Sequence, residues 1–110
     1  MALAIILYQY TGDAIRITIE ARFEDDKLII DGYDIGARVK EYWGDSDYEY
    51  SIILQPESIN QLGTLLNLSA HDKQMILQAL AKRFNTNSCF SEIQKLLDDH
   101  HISYESFRWT

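Results

Sequence analysis

The eight residues from Gly44 to Ser51, GDSDYEYS, contain three acids and two tyrosines. Asp45, Asp47 and Glu49 stand at alternate positions, as the first ligands of a helix-loop-helix calcium site do. Such a loop also needs a glycine at its sixth position and a glutamate at its twelfth, and this stretch has neither. Without the sharp turn and the bidentate ligand, the spacing does not predict a metal site. We expect no metal and no cofactor.

A second candidate for chemistry is the single cysteine, Cys89. A cysteine near a helix N-terminus has a lowered thiol pKa and can act as a nucleophile. The possible bases are the three histidines, His71, His100 and His101. However, Cys89 falls on an apolar stripe at helical spacing, where a cysteine is usually a small buried hydrophobic residue. The chain also lacks a Gly-rich phosphate loop and the common hydrolase motifs. We therefore predict a protein that is not an enzyme, with an enzyme using Cys89 or a histidine as an alternative.

Acids and aromatic rings are interleaved in the N-terminal half. Between Glu20 and Glu49 there are ten acids and four bases, so this segment carries a charge of −6 out of a total of −7. Tyrosine and tryptophan are enriched at binding hot spots. The segment thus predicts a partner-binding surface formed by Tyr33, Asp34, Trp43, Asp45, Asp47, Tyr48 and Glu49. The alternative is a solvated acidic face whose rings pack on the sheet, and for Tyr50 we expect packing.

The composition of the whole chain limits the classes of partner. At 110 residues, with 46% hydrophobic and 25% charged residues, the chain predicts one globular domain. Nucleic acid and anionic membranes attract basic proteins, so the charge of −7 disfavours both. No apolar run approaches the ~20 residues that span a bilayer, and the N-terminus lacks the basic region of a signal peptide. One cysteine forms no internal disulfide, so we expect a cytoplasmic location.

The chain begins with strand patterns. Apolar and polar residues alternate from Ile15 to Glu24, as in a strand with one wet face. Short turns on either side, the second at Asp25-Asp26, require antiparallel neighbours, so residues 3–32 predict a three-stranded meander. A fourth strand is expected to begin at Tyr48, with Tyr48 and Tyr50 on one face and residues 45–47 in the preceding loop. A last strand is expected over residues 102–109.

The remaining segments are patterned as helices. Asp34 to Trp43 is expected to form a short helix with Asp34 as its N-cap. From Pro56 onward, apolar residues recur at helical spacing in three segments, the second capped by Ser69 and the third by Ser88. Strands followed by helices predict a single α+β domain, residues 1–110, with a predominantly antiparallel sheet of about five strands and C-terminal helices packed on one face. Strand order and oligomeric state are not predicted.

Several short runs carry a resemblance to known proteins: YEYS at 48–51, LLNL at 65–68, ALAKRF at 79–84, NSCFSEIQKLLD at 87–98 and YESFRW at 104–109. Together, over roughly residues 14–109, they resemble short bacterial proteins, some of which are similar to immunity proteins of polymorphic toxin or contact-dependent growth-inhibition systems. The resemblance implies a cytosolic protein that neutralises a toxin, and it implies no particular site residue. An acidic inhibitor suits a nuclease toxin, because clefts that bind phosphate are basic. The alternative is a generic protein-binding or assembly module.

Overall fold

The computed structural model describes residues 3–36 and 47–109. These residues form a five-stranded antiparallel sheet in the order β1-β2-β3-β4-β5, together with three helices. The elements, in chain order, are β1 Leu3–Thr11, β2 Arg16–Glu24, β3 Lys27–Ile35, β4 Asp47–Leu54, α1 Pro56–Leu65, α2 Lys73–Arg83, α3 Cys89–Asp99 and β5 Glu105–Trp109. This is the α+β architecture predicted from the sequence. None of the helices in these ranges is both long and apolar enough to cross a membrane.

The hairpin between β2 and β3 has a two-residue turn. Asp25 and Asp26 adopt left-handed backbone angles, with φ of 50° and 64°, and Glu24 pairs with Lys27 across the turn. Two consecutive residues with positive φ form the type of turn whose twist matches that of the flanking strands. Aspartate tolerates this conformation better than most residues. The turn therefore fixes the register of the longest ladder in the sheet.

All three helices lie in the connection between β4 and β5. The two strands are antiparallel neighbours, with Ile53 paired to Glu105. Next to this pair, the side-chain amide of Gln55 donates a hydrogen bond of 2.8 Å to Glu105, a residue 50 positions later. A second link holds α1 to the segment before β5, since the buried hydroxyl of Ser58 donates to the carbonyl of Ser103 at 2.6 Å. The helical layer is thus held at both of its ends to the same edge of the sheet.

The hydrophobic core lies between the helices and one face of the sheet. Its strand residues alternate along each strand, as the sequence predicted. Ile19, Ala21, Phe23, Leu28, Ile30, Ile52 and Leu54 are buried from the sheet, and Ile59, Leu62, Ile76, Leu77, Leu80, Phe90, Ile93 and Leu97 from the helices. On β1 the alternation is interrupted by an irregularity between Ile6 and Tyr8, where Leu7 enters the core. The opposite face of the sheet carries none of these residues.

Two helices end in the same backbone motif. Asn67 and His101 adopt left-handed angles, with φ of 60° and 56°. After α3, the amide of Ile102 donates to the carbonyl of Leu97 at 2.8 Å, and the amide of His101 donates to Asp98 at 3.2 Å. These paired bonds satisfy carbonyl groups that a helix end would leave without partners. His101 therefore has a structural position, at the point where the chain turns away from α3.

Two sequence expectations for helix starts differ from the structure. Ser69 does not cap α2, because this helix begins at Lys73 with Asp72 at the cap position. The Ser69 hydroxyl instead accepts a hydrogen bond from the amide of His71 in the preceding turn. Ser88 does occupy the cap position of α3, but its side chain contacts Glu92 at 3.1 Å rather than the helix amides.

The expected helix from Asp34 to Trp43 is wrong at its start. Asp34 and Ile35 belong to β3, which pairs with β4 as far as Asp47. A strand that still has a partner keeps its ladder, whatever the capping preference of Asp34. The rest of the expected helix, apart from Gly36, lies outside the described residues. Asp47 is the first residue of β4 rather than a loop residue, and the last strand begins at Glu105, three residues later than expected.

Candidate partner-binding face

The open face of the sheet is the side opposite the helices. Because paired residues in neighbouring strands lie on the same side, the register identifies its members. Its central residues are Thr18, Glu20 and Arg22 on β2, Ile29, Asp31 and Tyr33 on β3, Glu49, Ser51 and Ile53 on β4, and Phe107 on β5. Among residues 3–36 and 47–109, no helix covers this set. We use the name open face for these ten residues.

Arg22 lies at the centre of a group of acids. Its guanidinium contacts the carboxylate of Asp31 on the neighbouring strand, reaches Glu24 at 3.0 Å and lies 3.6 Å from Glu20. Burial alone would lower the pKa of Arg22, but the hydrogen bonds from the guanidinium to Asp31 and Glu24, together with the negative charges of these two carboxylates, outweigh it and raise this pKa. One cation shared among three carboxylates leaves a net charge of −2. The group therefore remains attractive to a further positive charge.

Beside this group, the open face has a shallow depression of about 450 Å³. Its lining combines Arg22 and Asp31 with the aliphatic side chains of Ile29 and Ile53 and with residues of the next row. In that row Tyr33 lies directly opposite Glu49. A half-buried apolar floor with an aromatic ring and carboxylates at its margin has the composition of a protein-binding patch, in which rings anchor and charges orient.

The structure divides the predicted surface between two sides of the sheet. Tyr33 and Glu49 are on the open face, whereas Asp34 and Tyr48, paired with each other one position along, are on the helix side. Successive residues of a strand point to opposite faces, so one partner contacting the open face directly does not contact all four. The backbone of Asp47 lies at the start of β4. Two further predicted residues, Trp43 and Asp45, are outside the described residues.

On the helix side, Tyr50 is held in place by packing, as the sequence predicted. Its ring makes an edge-on contact with Phe90 of α3, with 4.7 Å between the ring centroids. Its hydroxyl donates a 2.9 Å hydrogen bond to Asp34. Tyr48 is next to it, with the two ring centroids 5.3 Å apart, which confirms that these tyrosines share a strand face.

Asp34 is half-buried at this position. Burial raises the pKa of Asp34 above its usual range, and the hydrogen bond from Tyr50 opposes the shift. A depression of about 290 Å³ lies here, between Asp34, Tyr48, Phe90 and Arg108, among other residues. This depression adjoins the end of the sheet and is separate from the open face.

The cysteine has the environment of a core residue. Cys89 is completely buried and unpaired. Burial is the main reason that the pKa of its thiol is raised to about 11. A nucleophilic cysteine needs access and a lowered pKa, so these properties favour a packing role. The three histidines are exposed.

The described residues also show no cluster of metal ligands. Within the ranges 3–36 and 47–109, no three His, Cys, Asp or Glu side chains come together as ligands of a metal ion would. The calcium-like spacing from Asp45 to Glu49 falls partly outside these ranges. The candidate site among the described residues is therefore the surface patch of mixed polarity on the open face.

Sequence reasoning missed most of the open face. Alternation placed Glu20 and Arg22 on the wet side of β2, but only the hairpin register brings Asp31, nine residues later, against Arg22. Phe107 on β5 was also missed, because its neighbour Ser51 is 56 positions earlier in the chain. A two-residue turn fixes which residues of the two flanking strands lie opposite each other. This turn is therefore the signal from which the alignment of β2 with β3 could have been predicted.

Comparison with known proteins gives no match to this chain among protein-family models, curated proteins or solved structures. The resemblance to immunity proteins therefore stays a prediction from the residues.

Proposed function

We propose that this chain is a toxin-neutralising immunity protein that binds a basic protein partner, a nuclease domain, through the open face of the sheet. What most supports the proposal is the pairing of Tyr33 with Glu49 beside the carboxylates around Arg22. Rings, aliphatic side chains and excess negative charge lie there on the side of the sheet that no helix of the described residues covers. A binding surface on strands holds its side chains more firmly than one on loops.

Charge favours a basic partner over a neutral one. The chain carries −7. Arg22, the cation among the ten open-face residues, is already shared by acids, and Arg16 and Lys27 lie on the same side only at the ends of their strands. A nuclease cleft is positive because it must bind phosphates. An acidic inhibitor is steered to such a cleft and reaches it quickly at low ionic strength. The same field also excludes acidic partners.

The proposal predicts that a toxin domain is encoded directly before this chain's gene, and binding to that domain tests it. The two proteins are purified separately, and association is measured at low and moderate salt. Glu49→Lys reverses a charge within the open face and should slow association and reduce the salt dependence. Tyr33→Ala should speed dissociation, because loss of an aromatic anchor acts mainly on the off-rate.

A matched control separates the surface from the net charge. Asp99→Lys changes the charge by the same amount at the end of α3, in a part of the helical layer whose depression is lined by none of the ten open-face residues. It should therefore alter binding much less than Glu49→Lys. The double variant Asp45→Lys, Asp47→Lys tests whether the acids at these two positions, the second of which begins β4, take part. Equal binding by Glu49→Lys, Tyr33→Ala and the unaltered chain would refute the proposal.

A further inference from the structure

The first strand is an edge strand with an unusual composition. In the sheet order β1-β2-β3-β4-β5, β1 pairs with β2 along one side only among the described residues. It spans nine residues, LAIILYQYT, and none is charged, whereas each of the other four strands carries acids or bases. Proteins usually protect a long edge with lysine, proline or other charged side chains. The protection seen on β1 is the irregularity beside Leu7.

Exposed apolar side chains are concentrated at this edge. Within the described residues, five large hydrophobic side chains are exposed, and three of them are on β1: Leu3 at 39%, Ile6 at 48% and Tyr10 at 46%. A fourth, Met75, is on α2, the helix that packs on β1. An uncharged edge flanked by apolar side chains is suited to accept another strand, whose main chain satisfies the outward N–H and C=O groups.

We propose that β1 pairs with β1 of a second copy of this chain, in an antiparallel dimer with a continuous ten-stranded sheet. Two molecules that each carry −7 repel one another over most of their surface. At the uncharged strand, two copies meet without bringing like charges close together. A basic partner of the kind proposed above is attracted to acids, and β1 has none.

The strand is also complementary to itself. Leu3, Ile5, Tyr8 and Tyr10 pair with helix-side residues of β2, so all four face the helical layer. A two-fold antiparallel arrangement that sets Leu3 opposite Tyr10 of the other copy also sets Ile5 opposite Tyr8. Aromatic and aliphatic cross-strand pairs of this kind stabilise a sheet. The two-fold axis is perpendicular to the sheet, so both open faces stay accessible on the same side.

The test is the molar mass of the purified chain, measured by sedimentation over a wide range of concentrations. We expect a reversible monomer–dimer equilibrium. Ile6→Lys places one charge from each copy at the seam, and it should raise the dissociation constant on the order of a hundredfold. Phe107→Lys is the matched control, since it changes an equally exposed residue on the opposite edge strand and should leave the dimer intact. Circular dichroism checks that both variants are folded.

Cross-linking tests the arrangement. Leu3→Cys combined with Tyr10→Cys should form disulfide-linked dimers, whereas either single variant should not, and the buried Cys89 does not compete. A monomer at every concentration would overturn the proposal, as would equal weakening by Ile6→Lys and Phe107→Lys. Cross-linking of Leu3→Cys alone would overturn the antiparallel arrangement. None of these outcomes depends on whether the open face binds a toxin.

Discussion

The ring of Tyr50 lies directly over Gly32 on the neighbouring strand. A Cβ atom at position 32 would be 1.8 Å from the nearest ring carbon, well inside van der Waals contact. The two residues are a cross-strand pair, and the ring cannot easily move away, because Phe90 and the hydrogen bond to Asp34 hold it. Glycine is thus required at position 32 for the space it leaves rather than for a special backbone angle.

Gly32→Ala should destabilise the protein by about 1–3 kcal/mol, the usual effect of overpacking. Chemical denaturation measures this difference in the free energy of unfolding. The same substitution made in a Tyr50→Ala background should be much less harmful, because the space above position 32 is then free. Additive effects of the two substitutions would contradict the proposed contact.

Asp34 should make stability depend on pH in an uncommon direction. Its folded-state pKa is raised by burial, so the native state holds this proton more tightly than the unfolded chain does. The resulting stabilisation is complete below the unfolded pKa of about 4 and is lost as the pH rises through the folded-state pKa. Asp34→Asn stays neutral and keeps an oxygen that accepts the Tyr50 hydrogen bond. The difference in the free energy of unfolding between this variant and the unaltered chain should therefore shift in favour of the variant as the pH rises from acid to neutral.

Urea unfolding at several pH values measures this difference. Tyr50→Phe provides the contrast, because it removes the hydrogen bond that opposes the raised pKa of Asp34. The loss of stability with rising pH should then become larger than in the unaltered chain. A difference between Asp34→Asn and the unaltered chain that is constant across the pH range would show that Asp34 does not titrate as expected.

Cys89 should be unreactive until the protein opens. The thiol is fully buried and its pKa is raised to about 11, so thiolate is scarce at neutral pH and reagents cannot reach it. Alkylation in buffer should be slower than in urea by at least on the order of a hundredfold. Cys89→Ser should cost about 1–2 kcal/mol of stability, since it buries a hydroxyl with poor partners, and should leave partner binding unchanged. Rapid alkylation of the folded protein would contradict this placement.

His101→Gly should stabilise the protein by about 1 kcal/mol, because a non-glycine residue in the left-handed region is strained. The backbone of His101 has a φ of 56°, which glycine adopts freely. His100→Gly is a close control: its φ of −103° needs no glycine, so the extra freedom of the unfolded chain should lower stability instead. Thermal unfolding of the two variants should therefore shift in opposite directions.

The sequence predicted the fold where local pattern and local turns agree. Alternation in β2 and the Asp25-Asp26 turn specify a hairpin by themselves, and the structure confirms both. The prediction fails at Asp34, where the cap preference of one aspartate indicated a helix. There the deciding interaction is the ladder from β3 to β4, which joins Asp34 to Tyr48 across fourteen positions. The sequence pattern within a short window gives no information about a pairing between residues so far apart in the chain.

The candidate site could be predicted less well, for a related reason. Tyr33 and Asp34 are adjacent in sequence, and the sequence predicts one surface for both, but adjacent strand residues point to opposite faces. In contrast, Arg22 and Asp31 are far apart in sequence and are in contact. One face of a β-sheet is formed by every second residue of several strands. The residues that share a face are therefore known only when the register between those strands is known.

The insertion of all three helices between β4 and β5 also sets an order of assembly. The β2–β3 hairpin closes over two residues, whereas pairing Ile53 to Glu105 first requires the intervening 51 residues to be brought back. Loop closure of that length costs about 3 kcal/mol more than closure of the hairpin. We therefore expect the first hairpins to form early, and β5, a five-residue edge strand, to join after the helices have packed. Because β5 is paired on one side only and β3 on both, we expect the amide protons of β5 to exchange with solvent before those of β3.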